Sequence, residues 1–244
     1  MKQICLLFLF LFASVATAQC PNVYNDSIPP FVETTDAVEV CFQQYAVLYS
    51  TSFRSAIYSA EKVTKESVAL AKGLLRINAF HTHKQFKPSQ TTTLFDYVNS
   101  NFDRGHLAPF GDMSTKQAGY ESFDLINIVP QNPRNNKHMW KNIEKEVRNL
   151  ASRVGVVYVI TGPIYGKPVA MLNSRVPIPK YLFKAIYVPS TGESEVIIAE
   201  NSDTDRFTVV SLSKFESATG IDLFPSIAPI KKLSAIQLIQ IRLQ

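Results

Sequence analysis

A helix-start signal stands in the middle of the chain, at Asn132-Pro133. Asn is a favoured N-cap residue, and Pro is well tolerated at the first helical position, where its missing N–H costs nothing. Apolar residues then recur at steps of three and four positions: Trp140, Ile143, Val147, Leu150 and Val154. This spacing predicts an amphipathic helix from about Pro133 to Arg153.

Two polar residues of this helix point to a metal site. Asn136, Trp140 and Glu144 are successive i, i+4 neighbours, so an amide and a carboxylate are expected on one side, two turns apart. Oxygen atoms from Asn and Glu, completed by waters, suit a hard cation such as Mg²⁺.

The stretch from Asp103 to Pro109, Asp-Arg-Gly-His-Leu-Ala-Pro, supplies a candidate base. His106 can be neutral near pH 7 and take a proton from an attacking water, while Asp103 or a backbone carbonyl holds its other ring nitrogen. Arg104 offers donors matched to phosphate oxygens, and Gly105 lets the backbone turn between the two side chains. The alternative is a structural or surface histidine beside a surface ion pair. Together with the helix, the stretch favours cleavage of a phosphodiester with one metal ion.

These motifs also form a recognisable series. Asp103 to Pro109, then Asn127-Ile128-Val129-Pro130-Gln131, then Asn136, Trp140 and Glu144 resemble the signature of the non-specific DNA/RNA endonucleases of the ββα-metal superfamily, endonuclease G-like. The resemblance continues at residues 157–165, 176–184 and 215–222, and covers about residues 37–227.

The resemblance implies roles by matching position. His106 would be the general base, Asn136 the direct metal ligand, and Glu144 a group that acts through a metal-bound water. Arg104 and Asn127 would support catalysis, Arg104 would also bind substrate, and Arg76 is the candidate for a further phosphate-binding arginine upstream. The implied fold is α+β, with a mainly antiparallel central sheet flanked by helices and a ββα-metal motif. The implied reaction is hydrolysis of DNA and RNA with Mg²⁺, for which Mn²⁺ is a candidate substitute, by a monomer or a homodimer.

Local patterns predict the remaining elements. Strands are expected at 38–50, 55–63, 123–129, 154–161, 181–188, 195–199 and 207–212, with a hairpin around Ser190 to Glu193. Gly162-Pro163 is expected to stop the fourth of these strands, and Gly220 to end a short helix over 213–219. The element type of 64–72 and that of the tail from Ile230 stay open.

A histidine pair, His81 and His83, has two interpretations. At i, i+2 the two side chains share one side of a strand and could bind a transition metal. A solvated loop pair, or residues near bound phosphate, is the favoured alternative.

Residues 1–18 have the pattern of a signal peptide. Lys2 provides a positive start, 4–12 is almost continuously apolar, and Ala16-Thr17-Ala18 is a small-residue cleavage pattern, so cleavage before Gln19 is expected. The apolar run is too short to span a bilayer, although a lipid anchor on Cys20 is a rival. We therefore expect residues 19–244 to form a single domain, secreted or periplasmic, without a stable membrane anchor.

Charge and cysteine content fit this compartment. Without Lys2 the chain has 24 basic and 20 acidic residues, a net charge of +4, which is compatible with a polyanionic substrate. Without Cys5 only Cys20 and Cys41 remain, and two cysteines in an exported chain favour one disulfide, worth roughly 3 kcal/mol, over two free thiols.

Two other functions compete with nuclease activity. A binding protein of the same fold could hold nucleic acid or another polyanion without turnover, but it would need neither His106 nor Asn136. A metal-binding module centred on His81 and His83 lacks further Cys or His residues close by in the sequence.

Overall fold

The computed structural model describes residues 20–234 and 238–239. Within these residues a seven-stranded antiparallel sheet has the order β1-β2-β3-β6-β9-β10-β11. Its strands are β1 Val38–Cys41, β2 Tyr45–Ser50, β3 Ser55–Thr64, β6 Val156–Ile164, β9 Tyr181–Val188, β10 Glu193–Glu200 and β11 Phe207–Val210. Two small antiparallel pairs lie outside the sheet: β4 Asp103–His106 with β5 Ile128–Gln131, and β7 Ala170–Leu172 with β8 Val176–Ile178. The predicted α+β fold with an antiparallel central sheet is confirmed.

Helices cover both faces of the sheet. They are α1 Lys65–Ala71, α2 Lys116–Glu121, α3 Pro133–Asn135, α4 Lys141–Val154 and α5 Leu212–Thr219, and a π-helical turn at Asn136–Trp140 joins α3 to α4. Short 3-10 turns occur at Pro21–Val23, Asn25–Ser27, Leu94–Tyr97, Phe110–Asp112, Leu125–Asn127 and Pro229–Lys232.

Each face has its own apolar core. One core contains Trp140 and Val147 from the long helix packed with Val159 of β6, and it carries the β4–β5 pair. The other contains Tyr58, Phe183 and Phe215, under α5 and the N-terminal segment. The motifs that contain His106, Asn136 and Glu144 therefore lie on the first face.

The predicted helix over 133–153 is confirmed in extent, but the number of residues per turn changes along it, because a π-helical turn interrupts the α-helix. The π-helical turn has more residues per turn than an α-helix, so it rotates the residues after Trp140 relative to those before it. Trp140 is fully buried in the core, whereas Asn136 and Glu144 are only partly buried. Trp140 therefore faces the core, while the expectation that Asn136 and Glu144 share one side of the helix stays a prediction.

Most of the predicted strands have somewhat different limits in the structure, and two differ for an identifiable reason. Residues 38–50 form two strands, because Phe42–Gln44 is a turn whose Gln43 N–H donates to Glu121 Oε2 at 2.7 Å. The strand predicted at 123–129 begins only at Ile128, because Asp124 accepts a hydrogen bond from Ile126 N–H and starts a 3-10 turn.

Gly162-Pro163 does not stop β6. The strand continues through both residues to Ile164 along β9. Its pairing with β3 ends at Thr161, so Pro163 lies in a part of the strand with one paired neighbour, where proline is tolerated.

The sequence did not decide the element type of residues 64–72 or of the tail from Ile230. Residues 64–72 contain α1, whose N-cap Thr64 forms a reciprocal capping box with Ser67. This cap is Thr-x-x-Ser, without the Glu or Gln that usually marks the motif. In the tail, Leu238 N–H donates to Glu195 Oε2 at 2.9 Å, and residues 235–237 and 240–244 lie outside the described residues.

The predicted disulfide between Cys20 and Cys41 is present and fixes the N-terminal segment to β1, so the alternative of two free thiols is wrong. The predicted signal peptide lies outside the described residues. Among the helices that the structure describes, none has the length and apolar character needed to cross a membrane.

Candidate active site

The β4–β5 pair and the helix after it form the frame of the site. Asp103 pairs with Gln131 and His106 with Ile128, and the chain then enters α3 through the N-cap Asn132. A Cβ at buried Gly105 would lie 2.6 Å from Gln131 Cβ, so only glycine allows the two strands to approach this closely. The frame is thus two strands followed by a helix, with the base candidate on the first strand and the metal-ligand candidate on the helix.

His106 is buried between aromatic rings. Its ring centroid is 5.5 Å from that of Phe80 and 5.0 Å from that of Phe123, and its Nε2 has no hydrogen-bond partner among the described residues. Burial, together with the smaller effect of the positive charges of Arg76 and Arg104, lowers the pKa of His106 to about 3. The imidazole is therefore neutral near pH 7, as a general base must be.

Asp103 does not hold the ring of His106. Its carboxylate accepts a hydrogen bond from Asn136 Nδ2 at 3.0 Å and lies 3.1 Å from Lys137 Nζ. This contact joins the start of β4 to the π-helical turn. It also occupies the amide nitrogen of Asn136, so the carbonyl oxygen of that side chain is the atom left for a cation.

Two arginines lie close to His106. The Arg104 guanidinium is 4.2 Å from the centroid of the Phe80 ring, and the Arg76 guanidinium is 5.2 Å from that of Phe123. Both arginines stack on the rings that enclose the histidine, and both are exposed enough to meet a ligand. The site thus places a neutral base between two positive charges, an arrangement suited to an anionic substrate.

Asn127 is fully buried and uses its whole hydrogen-bonding capacity inside the protein. Its Oδ1 accepts from Ser59 Oγ at 2.8 Å and from Ala108 N–H at 3.0 Å. Its Nδ2 donates to the carbonyl oxygens of Ala108 at 2.8 Å and Ser122 at 2.9 Å. An amide can form about four such bonds, so Asn127 acts on the site by fixing the segment that follows His106.

Glu144 has charged side chains close to it. Burial raises the pKa of Glu144 to about 7, opposed by the positive charges of Lys184 and Arg148. Asp112 adds a neighbouring negative charge and forms an ion pair with Arg148 at 2.8 Å. A cation close to this carboxyl would favour its ionised form.

The donor set fits a hard divalent cation. One amide oxygen and one carboxylate, both on partly buried side chains, lie on the same helical stretch, and Mg²⁺ commonly takes one or two protein oxygens and keeps several waters. Among the described residues, the one cluster of three potential His, Cys, Asp or Glu ligands is Cys20, Glu39 and Cys41, and its two cysteines are already bonded to each other. Nitrogen and sulfur ligands are therefore not gathered at this site.

Comparison with known proteins identifies the family. The sequence model of the DNA/RNA non-specific endonucleases matches residues 27–229. The chain belongs to this family. Nuclease C1 of Cunninghamella echinulata var. echinulata is 31% identical over 209 residues, which cover 75% of this chain and 81% of that protein. Mitochondrial endonuclease G of Homo sapiens is 28% identical over 206 residues, covering 76% of this chain and 69% of that protein.

A solved structure confirms the fold of this endonuclease-family chain. It is the crystal structure of the complex of EndoG with EndoGI, which matches with a TM-score of 0.73 and 24% identity. The match covers 84% of this chain and 92% of that one. At this identity, the match shows a shared fold.

The sequence did not single out several charged residues of the site. Glu61 of β3 is buried with both carboxylate oxygens unpartnered among the described residues, and Lys184 Nζ donates to Thr161 Oγ1 at 2.6 Å. Arg148 could have been found from the sequence, because it follows Glu144 by one helical turn. Glu61 and Lys184 leave only a weak signal, a charge inside an otherwise β-prone strand.

Both members of the histidine pair make contacts within the protein. His83 Nδ1 lies 2.7 Å from Asp124 Oδ2, and His81 Nδ1 lies 2.8 Å from the carbonyl oxygen of Ala79, with its ring stacked on Tyr120 at 4.3 Å. His83 is buried, so the expectation of a solvated loop pair is wrong. Asp124 Oδ2 also lies 3.7 Å from His81 Nε2, but within the described residues these three side chains do not form a cluster with ligand atoms close enough to hold a metal ion.

Proposed function

We propose that this chain is an exported, metal-dependent endonuclease that hydrolyses the phosphodiester bonds of DNA and RNA without sequence specificity. The observation that carries the proposal is the neutral, buried His106, whose Nε2 has no hydrogen-bond partner among the described residues. Of the two aromatic rings that contact it, Phe80 is covered by Arg104 and Phe123 by Arg76. Membership of the endonuclease family supports the same reaction class.

His106 accepts a proton from the attacking water at its unpartnered Nε2. General-base catalysis of this kind typically contributes on the order of 10²–10⁴ in rate. Its low pKa keeps the nitrogen unprotonated, while the fixed β4 backbone holds it in place. Arg104 and Arg76 bind the phosphate and stabilise the negative charge that grows on it.

Asn136 and Glu144 would hold Mg²⁺, with Mn²⁺ as a substitute: Asn136 directly through its amide oxygen, and Glu144 as a hydrogen-bond acceptor for the hydration shell. The bound ion would neutralise the scissile phosphate and stabilise the leaving 3′ oxygen. Asp103 orients the Asn136 amide, and Asn127 fixes the segment after His106. The product carries the 5′-phosphate.

Low sequence specificity follows from the groups at the site. Arginine contacts to phosphate carry no sequence information, which is read from base edges. Such binding should weaken with rising salt, because each phosphate contact releases condensed counterions.

Export is part of the proposal. Residues 1–18 would be removed near Ala18, and 19–244 would act outside the cytoplasm, secreted or periplasmic, as one endonuclease domain and as a monomer or homodimer. The disulfide supports an oxidising compartment. It also leaves Cys20 without the free thiol that a lipid anchor would need.

The test is incubation of the mature chain with supercoiled plasmid and with total RNA, in Mg²⁺, in Mn²⁺ and in EDTA. We expect loss of both substrates with either ion and none in EDTA, with 5′-phosphate ends on the products. A folded chain that binds both polymers and cleaves neither would favour the alternative, a protein of nuclease fold that binds nucleic acid or another polyanion without turnover.

A further inference from the structure

An apolar cavity of about 310 Å³ lies beside the site, and no step proposed above uses it. Residues from two segments line it: Leu75, Ile77 and Ala79 after α1, and Phe110, Gly119 and Tyr120 around α2. Leu75 is 83% exposed and Ile77 is 66% exposed, which is unusual for large aliphatic side chains so close to each other. The volume is at the lower end of the about 300–1,000 Å³ typical of small-ligand sites.

The cavity and the candidate active site are linked through Phe110 and Arg76. The ring of Phe110 forms part of its wall, and the Arg76 guanidinium lies 5.8 Å from the centroid of that ring. The same guanidinium lies over Phe123, whose ring contacts His106. A phosphate bound at Arg76 would therefore place its own nucleoside next to the cavity.

The charges around the cavity fit a nucleotide better than a peptide or a second copy of the chain. Lys116, at the start of α2, lines the cavity and forms no ion pair with any residue that the structure describes. With Arg76 on one side and Lys116 in the lining, two cations flank an apolar space that has aromatic rings on its wall. A nucleic-acid strand has the complementary pattern, because each apolar base is attached to an anionic backbone.

We propose that this cavity, the base pocket, receives one unstacked base of the substrate strand beside the phosphate that Arg76 contacts. The proposal rests on the proposed function, since it assigns the bound strand's position at the same site. The lining side chains offer few polar groups, namely the ammonium of Lys116 and the hydroxyl of Tyr120, so the pocket would accept any base. It would favour single strands over duplexes, because a paired base must first leave the stack.

A binding cycle with two protein forms and two ligands tests the base pocket. The ligands are a short single-stranded oligonucleotide and a sugar-phosphate chain of the same length that lacks all bases. The protein forms are the wild type and Leu75→Ala/Ile77→Ala, whose side chains are exposed enough for truncation to leave the fold intact. Ile230→Ala is the matched control, since Ile230 is 73% exposed on the 3-10 turn at Pro229–Lys232.

Affinities are measured by fluorescence anisotropy in EDTA, so that binding is observed without cleavage. We expect the double variant to bind the oligonucleotide about tenfold more weakly, within the range for loss of a base contact, and the base-free chain as tightly as wild type does. The control should match wild type for both ligands. Equal effects on both ligands, or no effect on either, would overturn the pocket.

The nuclease proposal is tested separately by adding Mg²⁺ to the same samples. If the double variant binds only the oligonucleotide more weakly but the wild type does not cleave, the base pocket is supported and the nuclease assignment is refuted. If the wild type cleaves but the double variant binds both ligands as tightly as wild type does, the nuclease assignment is supported and the base pocket is refuted.

Discussion

Replacing Asn127 with alanine should loosen the segment that follows His106 without removing any group that reaches the solvent. The change deletes four hydrogen bonds and leaves the Ala108 N–H and the carbonyl oxygens of Ala108 and Ser122 without their partner in a buried place. At about 1 kcal/mol of net stabilisation for each bond, the free energy of unfolding should fall by about 4 kcal/mol. For a chain of this size that loss corresponds to a Tm lower by roughly 8–16 °C.

Asn127→Asp is the matched variant. It keeps the shape and the acceptor for Ser59 and the Ala108 N–H, but it turns a second oxygen toward the two carbonyl oxygens that now accept hydrogen bonds. Repulsion and burial should raise the pKa of the new carboxyl, so its penalty appears as pH rises above the unfolded value near 4. The difference in stability from wild type should therefore be smaller at pH 4 than at pH 7.

Thermal unfolding by circular dichroism and steady-state cleavage well below Tm measure both effects. We expect kcat to fall about 10²-fold through misplacement of His106, while KM and the Mg²⁺ midpoint stay near wild type. Normal Tm with normal kcat would refute the positioning role. Normal Tm with lost kcat would instead indicate that Asn127 takes part in the chemistry directly.

Other perturbations separate the remaining assignments. Asn136→Ala should raise the Mg²⁺ concentration needed for half-maximal cleavage at least about tenfold, and an unchanged titration curve would count against ligation. Reducing the Cys20–Cys41 bond should remove about 3 kcal/mol of stability, seen by calorimetry with and without reductant, with a Cys20→Ser/Cys41→Ser variant as the reductant-insensitive control. Because burial lowers the pKa of His106 to about 3, the unfolded chain binds a proton below pH 6.5 that the folded chain does not, and folding stability should fall between pH 6.5 and pH 3. The free energy of unfolding, measured by urea titration, should fall less from pH 7 to pH 4.5 in His106→Gln than in wild type. An equal fall in both proteins would contradict the argument that burial lowers the pKa of His106.

The parts of the fold that depend on local sequence could be predicted. The helix that starts at Asn132-Pro133 and the strands at Tyr181–Val188 and Glu193–Glu200 follow from caps, apolar spacing and β-prone runs. The turn that separates β1 from β2 could not, because Gln43 is held by Glu121, 78 residues away. The π-helical turn has no signal in the apolar spacing that predicted its helix.

In the candidate site, too, the features that depend on local sequence could be predicted and those that depend on distant contacts could not. The sequence placed His106 and Asn136 on facing elements through their motifs, and the structure brings Arg76 to Phe123, a ring that His106 also contacts. It could not give the role of Asn127, because the four hydrogen bonds involve partners from three segments that meet only in the folded chain. The burial of the Glu61 carboxyl group depends on strand pairing in the same way.

The most direct test of the account is single-turnover cleavage of single-stranded DNA by His106→Ala in saturating Mg²⁺. The matched control is His138→Ala, which removes an exposed histidine from the π-helical turn. The account predicts a rate on the order of 10²–10⁴ lower for His106→Ala, with intact folding by circular dichroism, and a near-normal rate for the control. A folded His106→Ala variant that cleaves at the wild-type rate would contradict the assignment of His106 as the general base.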